Sequence, residues 1–126
     1  MAITPDELRA KMVQIAGRYL DRVTRELVQL RTMVDNAASG NLDLVREIEA
    51  LTHRMHGSGA MLHFDEISGH AGDLERIAAG FLASGNVDQP RMVAVLEKLQ
   101  TAIETACSDR ESGKKGTDLF SRFRDF

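Results

Sequence analysis

The chain has little of several residue types on which other classes of protein depend. Its 126 residues include no tryptophan, one tyrosine, two prolines and one cysteine. Because Cys107 is alone, no disulfide can form within the chain, which favours a reducing cytoplasm. With so few aromatic residues, a hydrophobic core must be built from Leu, Ile, Val, Met and Ala, as is typical of helical bundles.

Long apolar runs and an excess of positive charge are also missing. No apolar run reaches transmembrane length, and no charged and then apolar signal segment stands at the N-terminus. We therefore expect a cytoplasmic protein without membrane insertion. The net charge of −3, from 16 basic and 19 acidic side chains, argues against a nucleic-acid partner. The length suits one domain with a core of its own.

The periodicity along the chain is helical, and no alternating strand pattern persists. Thr4, Pro5 and Glu7 form a helix start signal. Apolar residues then recur every three or four positions as far as Val34, so this segment is one long helix or two joined by a bend. Gly17 is the candidate for such a bend.

Three further helical patterns follow, with Asn41 as a cap of the first and Gly85 as a stop for the second. The sequence therefore predicts an all-α fold, an antiparallel four-helix bundle with an additional N-terminal helical segment. Residues 1–107 are expected to form the bundle. Residues 108–126 are expected to be a flexible basic and aromatic C-terminal tail.

His53 stands where a helix would ordinarily present Lys or Glu to solvent. At about 100° per residue, it lies about 180° from the apolar stripe of its helix. That stripe contains Leu44, Ile48, Leu51, Met55 and Leu62. Gly57 and Ala60 lie above His53 on the same outer face, so a partner protein can approach the imidazole closely. The alternatives to a partner-facing histidine are a surface histidine without a role and glycines that serve helix packing. Gly59 fits the second alternative.

The run from Thr52 to Ala60 resembles the signature of the histidine-containing phosphotransfer (HPt) domain family. His53 matches the phospho-accepting histidine, Met55 the apolar position that follows, and Gly57 the glycine one turn on. The segments 64–68 and 71–75 are similar to the next helix of such domains. The resemblance covers roughly residues 5 to 106 in helix pattern, with its specific motif in residues 52 to 75.

Two positions depart from the family pattern. His56 stands where the family often has lysine, and one turn from His53 it is expected to donate a hydrogen bond or a charge to the phosphoryl group. His63 stands where many members have glycine at a bend. Five residues are expected to support the phosphoryl group or partner docking: Glu49, Arg54, His56, Gly57 and Ala60.

The resemblance implies a stand-alone carrier that relays a phosphoryl group between receiver-domain aspartates. Its partners would be response-regulator receiver domains and a hybrid histidine kinase, with the chain itself a monomer. Mg²⁺ is expected on the receiver, and this chain needs no cofactor. It has no Walker-type loop and no kinase motif, so it is a phosphoryl carrier rather than a self-contained enzyme.

The residues alone suggest two other functions, a metal site and a scaffold. His53 and His56 form an H-x-x-H pair, but they project about 60° apart and only Glu49 stands near enough to help, so no metal site is expected. The second alternative is a helical-bundle scaffold or inhibitor that binds kinase or receiver domains without accepting phosphate. Acid-labile, base-stable phosphate on the chain would distinguish the carrier from the scaffold.

Overall fold

Four long helices make up the bundle. They are α1 (Pro5–Asn36), α2 (Leu42–Met61), α3 (Asp65–Ser84) and α4 (Gln89–Ser112), and a short 3-10 turn (Ala37–Ser39) follows α1. The computed structural model describes residues 2–86, 88–112 and 123, and these residues contain no strand. The all-α prediction is confirmed.

Local sequence signals set most helix ends. The Thr4 side chain accepts a hydrogen bond from the backbone N–H of Glu7, and the Asn41 side chain caps α2 by accepting two backbone N–H groups. Gly40 and Gly85 adopt the left-handed backbone conformation after the 3-10 turn and after α3, respectively. The connections between helices are therefore short, which favours antiparallel neighbours.

The end of α2 is unusual because a non-glycine residue takes the left-handed conformation there. His63 has φ of 63°, its backbone N–H donates to the carbonyl of Ala60, and the N–H of Phe64 donates to the carbonyl of Gly59. This pair of bonds is the Schellman arrangement, in which glycine is usual at the position of His63. The chain thus turns sharply from α2 into α3.

The additional N-terminal segment is continuous with α1, which runs unbroken for 32 residues. Of the two alternatives that the sequence left open, the structure shows one long helix rather than two joined by a bend at Gly17. Gly17 instead lies within α1, and its carbonyl accepts a hydrogen bond from Arg110 of α4 at 3.2 Å. Arg110 also pairs with Asp21 at 3.0 Å, so α4 contacts α1 at this glycine and one turn after it.

Each helix packs against two neighbours, α1 and α3 both lying between α2 and α4. The core between them is aliphatic, as expected from the composition. Of the predicted stripe on α2, Ile48, Leu51, Met55 and Leu62 are buried and Leu44 is half-buried. None of the described helices is both long and apolar enough to cross a membrane.

The predicted domain boundary after residue 107 falls inside α4, which continues to Ser112. Between residues 113 and 126 the structure describes Phe123 alone, so the predicted flexibility of this tail lies outside the described residues. Phe123 is buried, its carbonyl accepts a hydrogen bond from Arg9 Nε at 3.1 Å, and its ring lies 6.2 Å from that of His63. One tail residue therefore contacts both the start of α1 and the turn after α2.

Candidate functional site

His53 lies midway along α2 on the outer surface of the bundle, and its side chain is 73% exposed. The position follows from the helix phase, since the buried residues of α2 face the core on the other side. The exposed imidazole can therefore be reached by a molecule as large as another protein.

The nearest partner of His53 is Glu75 of α3. Their contact joins His53 Nδ1 to Glu75 Oε2 at 2.6 Å, and the Glu75 side chain is 23% exposed. An ionised carboxylate can only accept, so Nδ1 carries the proton and donates it to Glu75. In the neutral ring this leaves the lone pair on Nε2, which is the nitrogen farther from Glu75. Glu75 thereby fixes both the ring orientation and the tautomer of His53.

Sequence analysis placed Glu75 in the family-like segment 71–75 without giving it a role. It lies 22 residues from His53 and on another helix. No local spacing connects the two positions, because their contact depends on how α2 and α3 pack. The match of the segment to the family helix was the one signal that could have found it.

Small residues flank His53 along the outer face of α2. Gly57 and Ala60 are both exposed, and a Cβ built at Gly57 would meet no other atom within 4 Å. Glu49, one turn before His53, is half-buried. The approach to the ring from the C-terminal side of α2 is therefore open.

His56 lies against α3 and does not share the outward face of His53. The ring is half-buried against α3, with Nδ1 2.8 Å from the Ser68 carbonyl and 3.0 Å from Ser68 Oγ. Ser68 Oγ in turn donates to the His56 carbonyl at 2.9 Å. A Cβ added at Gly72 would lie 3.0 Å from His56 Nδ1, so the glycine makes room for the ring. A rotation of about 60° from His53 is enough to bring His56 into the groove between α2 and α3.

Arg54 is exposed and lies toward α1 instead. It lines a groove of about 590 Å³ between α1 and α2, together with Val28 and Glu47. His56 and Arg54 thus lie on opposite sides of His53. Of the predicted supporting residues, Gly57 and Ala60 share the outer face with it.

Gly59 serves the packing beneath the site. Tyr19 Oη donates to the Met55 carbonyl at 2.8 Å, and a Cβ at Gly59 would lie 2.8 Å from Tyr19 Oη. The Tyr19 ring stacks on Phe64 with centroids 5.5 Å apart, and burial raises the pKa of Tyr19 well above its ordinary value. The hydroxyl therefore stays protonated and holds α1 against α2 below His53.

The described residues hold no cluster of three His, Cys, Asp or Glu side chains that could bind a metal ion. The chemistry available at the surface is that of one exposed imidazole oriented by one carboxylate. Such a nitrogen is a nucleophile for a group presented from outside.

The comparisons with known proteins agree with this geometry. The family model described as Hpt domain matches residues 7–109, which include nearly all of the bundle. No curated protein and no solved structure gives a significant match. The chain therefore belongs to the histidine-containing phosphotransfer (Hpt) domain family, whose function is phosphotransfer in two-component signalling.

Proposed function

We propose that His53 accepts the phosphoryl group and that the chain is a stand-alone carrier between receiver-domain aspartates. The observation that carries the proposal is the contact of an exposed imidazole with Glu75 at 2.6 Å. A hybrid histidine kinase and separate response regulators would supply donor and acceptor. The carrier is proposed to act as a cytoplasmic monomer.

The transfer needs no base on this chain. The Nε2 lone pair of neutral His53 attacks the phosphorus of the aspartyl phosphate, the N–P bond forms, and the aspartate leaves as a carboxylate with the electrons of the broken P–O bond. The ring then carries a positive charge while Nδ1 keeps its proton. Glu75 is the group that stabilises this charge, because its carboxylate accepts the Nδ1–H. Return transfer to another aspartate reverses these steps.

Neutralisation of the phosphoryl oxygens falls mostly to the partner. Phosphoryl transfer depends on positioning and on compensation of the charge on these oxygens. His56 stands in place of the common lysine. Its Nδ1–H donates to the Ser68 carbonyl, so this N–H group cannot donate to the phosphoryl group. The Mg²⁺ of a receiver domain would supply the positive charge, and the chain carries the group without acting as a complete enzyme.

The direct test is labelling of a His53→Gln variant by a phosphorylated receiver domain. We expect labelling to disappear while the melting temperature stays within about 2 °C of wild type, because an exposed side chain contributes little to folding. His70→Gln, a half-buried histidine on α3, is the matched control and should be labelled like wild type. The wild-type label should be acid-labile and base-stable.

Undiminished labelling of His53→Gln would contradict the assignment. Stable receiver binding by wild type without any labelling would instead favour the scaffold alternative.

A further inference from the structure

Three arginines form one stripe along α1 beside the site. Arg18, Arg22 and Arg25 are all exposed, and their spacing of four and three residues places them on one helix face. They border a groove of about 380 Å³ between α1 and α2, which we call the arginine groove. Its rim is completed by Ile15, Ser58 and Met61, and no described carboxylate lines it.

Two of these charges have no partner within the described part of the chain. Arg22 lies over the Tyr19 ring at 5.3 Å from its centroid and 3.5 Å from Glu26. Arg18 and Arg25 make no ion pair with a described residue. Because the whole chain carries a net charge of −3, the groove is a local concentration of positive charge on an otherwise acidic protein.

Apolar side chains are exposed at the rim of the same groove. Met61 is 74% exposed and Ile15 is 42% exposed. Met and Arg are both enriched in protein–protein interfaces, whereas charged residues other than Arg are depleted from their centres. The combination therefore suits a protein surface that is acidic and carries an apolar projection.

The arginine groove is close enough to His53 to be covered by the same partner. Ser58 and Met61 follow His53 by five and eight residues on α2, or about 8 and 12 Å along the helix axis. A standard interface covers about 800 Å² on each partner, roughly 30 Å across. A domain that presents an aspartate to His53 therefore reaches the groove.

We propose that the arginine groove binds an acidic surface of the receiver domain and determines which receivers associate fast enough to exchange phosphate. This inference rests on the proposed function, since it takes the receiver as the partner. The arginines act on encounter rather than on the phosphoryl step. Long-range attraction raises association rates by one to three orders of magnitude, and salt screens it over about 10 Å at 0.1 M.

The experiment compares two double variants with the same change of charge. Arg18→Glu with Arg25→Glu reverses the groove, and Arg22 is left in place because it contacts Tyr19. Arg91→Glu with Lys98→Glu is the control, since both residues line a separate cleft between α3 and α4. The probes are the receiver domains of the source organism, purified singly, for binding without phosphate and for single-turnover transfer. Phosphoramidate, a small phosphodonor, is expected to label His53 without docking of a receiver.

We expect the groove variant to lose about tenfold or more in the second-order transfer rate and in receiver affinity at low salt. Its rate at saturating receiver and its labelling by phosphoramidate should equal those of wild type, and its rate should depend less on salt. The control should stay within about twofold of wild type, because its charges do not line the arginine groove.

Equal losses in both double variants, or none in the groove variant, would overturn the role of the groove. Receiver binding that depends on the groove without labelling of His53 from any donor would retain the groove and overturn the proposed phosphotransfer. Absence of binding to every receiver would overturn the groove, whereas labelling of His53 by phosphoramidate would still support its reactivity.

Discussion

At the scale of single residues, the hydrogen bond between His53 and Glu75 fixes the orientation of the imidazole while leaving the ring exposed. His53 alone would rotate freely on an open surface and exchange its proton between two nitrogens. Glu75 is less exposed than His53, and its carboxylate selects one orientation of the imidazole ring. The proposed nucleophile is therefore positioned on this chain before any partner arrives, which lowers the entropic cost of the encounter.

Glu75→Gln should lower the rate of phosphoryl acceptance by His53 about three- to tenfold. The amide still accepts a hydrogen bond but lacks the charge that stabilises the phosphorylated ring. Because water around the exposed ring screens this charge, we expect a difference in barrier of only about 1 kcal/mol. The rate is measured by quenching phosphoryl transfer from one receiver domain at several time points and quantifying the label on His53. Glu66→Gln, an exposed glutamate on the same helix, is the matched control. Equal rates in both variants would leave Glu75 without a role.

The two glycines after His53 should respond oppositely to alanine. Gly57→Ala should raise the free energy of unfolding by up to about 1 kcal/mol, since the position is open and alanine is the better helix former. Gly59→Ala should lower it by about 1–3 kcal/mol, because the new Cβ would lie 2.8 Å from Tyr19 Oη. Urea unfolding of both variants gives the comparison. A shift of the same sign in both would refute the two packing environments.

At the scale of helices, the ends that sequence predicts are those with local causes. Thr4, Asn41 and Gly85 act on backbone groups within four residues, so their roles are visible in sequence. The cost of a helical glycine, about 1 kcal/mol, left one helix or two open at Gly17, and α1 stays continuous there with its Gly17 carbonyl bonded to Arg110 of α4. Long-range contacts thus override local preference inside an element more readily than at its ends.

The end of α2 offers a test of this reading. His63→Gly should raise the free energy of unfolding relative to His63→Ala by about 1–2 kcal/mol, because both variants lose the ring contact with Phe123 and only glycine relieves the left-handed backbone. Thermal unfolding of the two variants measures the difference. Equal stability would mean that the turn relaxes to another conformation at no cost.

At the scale of the whole molecule, the helical periodicity of the chain was enough to predict the bundle, and the helix phase of α2 was enough to predict the exposure of His53. It was insufficient for His56 and Glu75, whose environments depend on the register between α2 and α3. His56 lay only about 60° from His53 in the helix projection, and the space beside Gly72 decided its direction. The pattern of a single helix therefore finds an exposed histidine more easily than the residue that orients it.

The hydrogen bond between Arg9 and the Phe123 carbonyl has a practical consequence for protein engineering. It brings residues near the two ends of the sequence together at the end of the bundle where α2 turns into α3. His53 lies ten residues before that turn, about 15 Å along the helix axis. A short peptide linking the chain near Arg9 to the chain near Phe123, with new termini opened beside Gly85, would give a circular permutant whose splice lies away from His53.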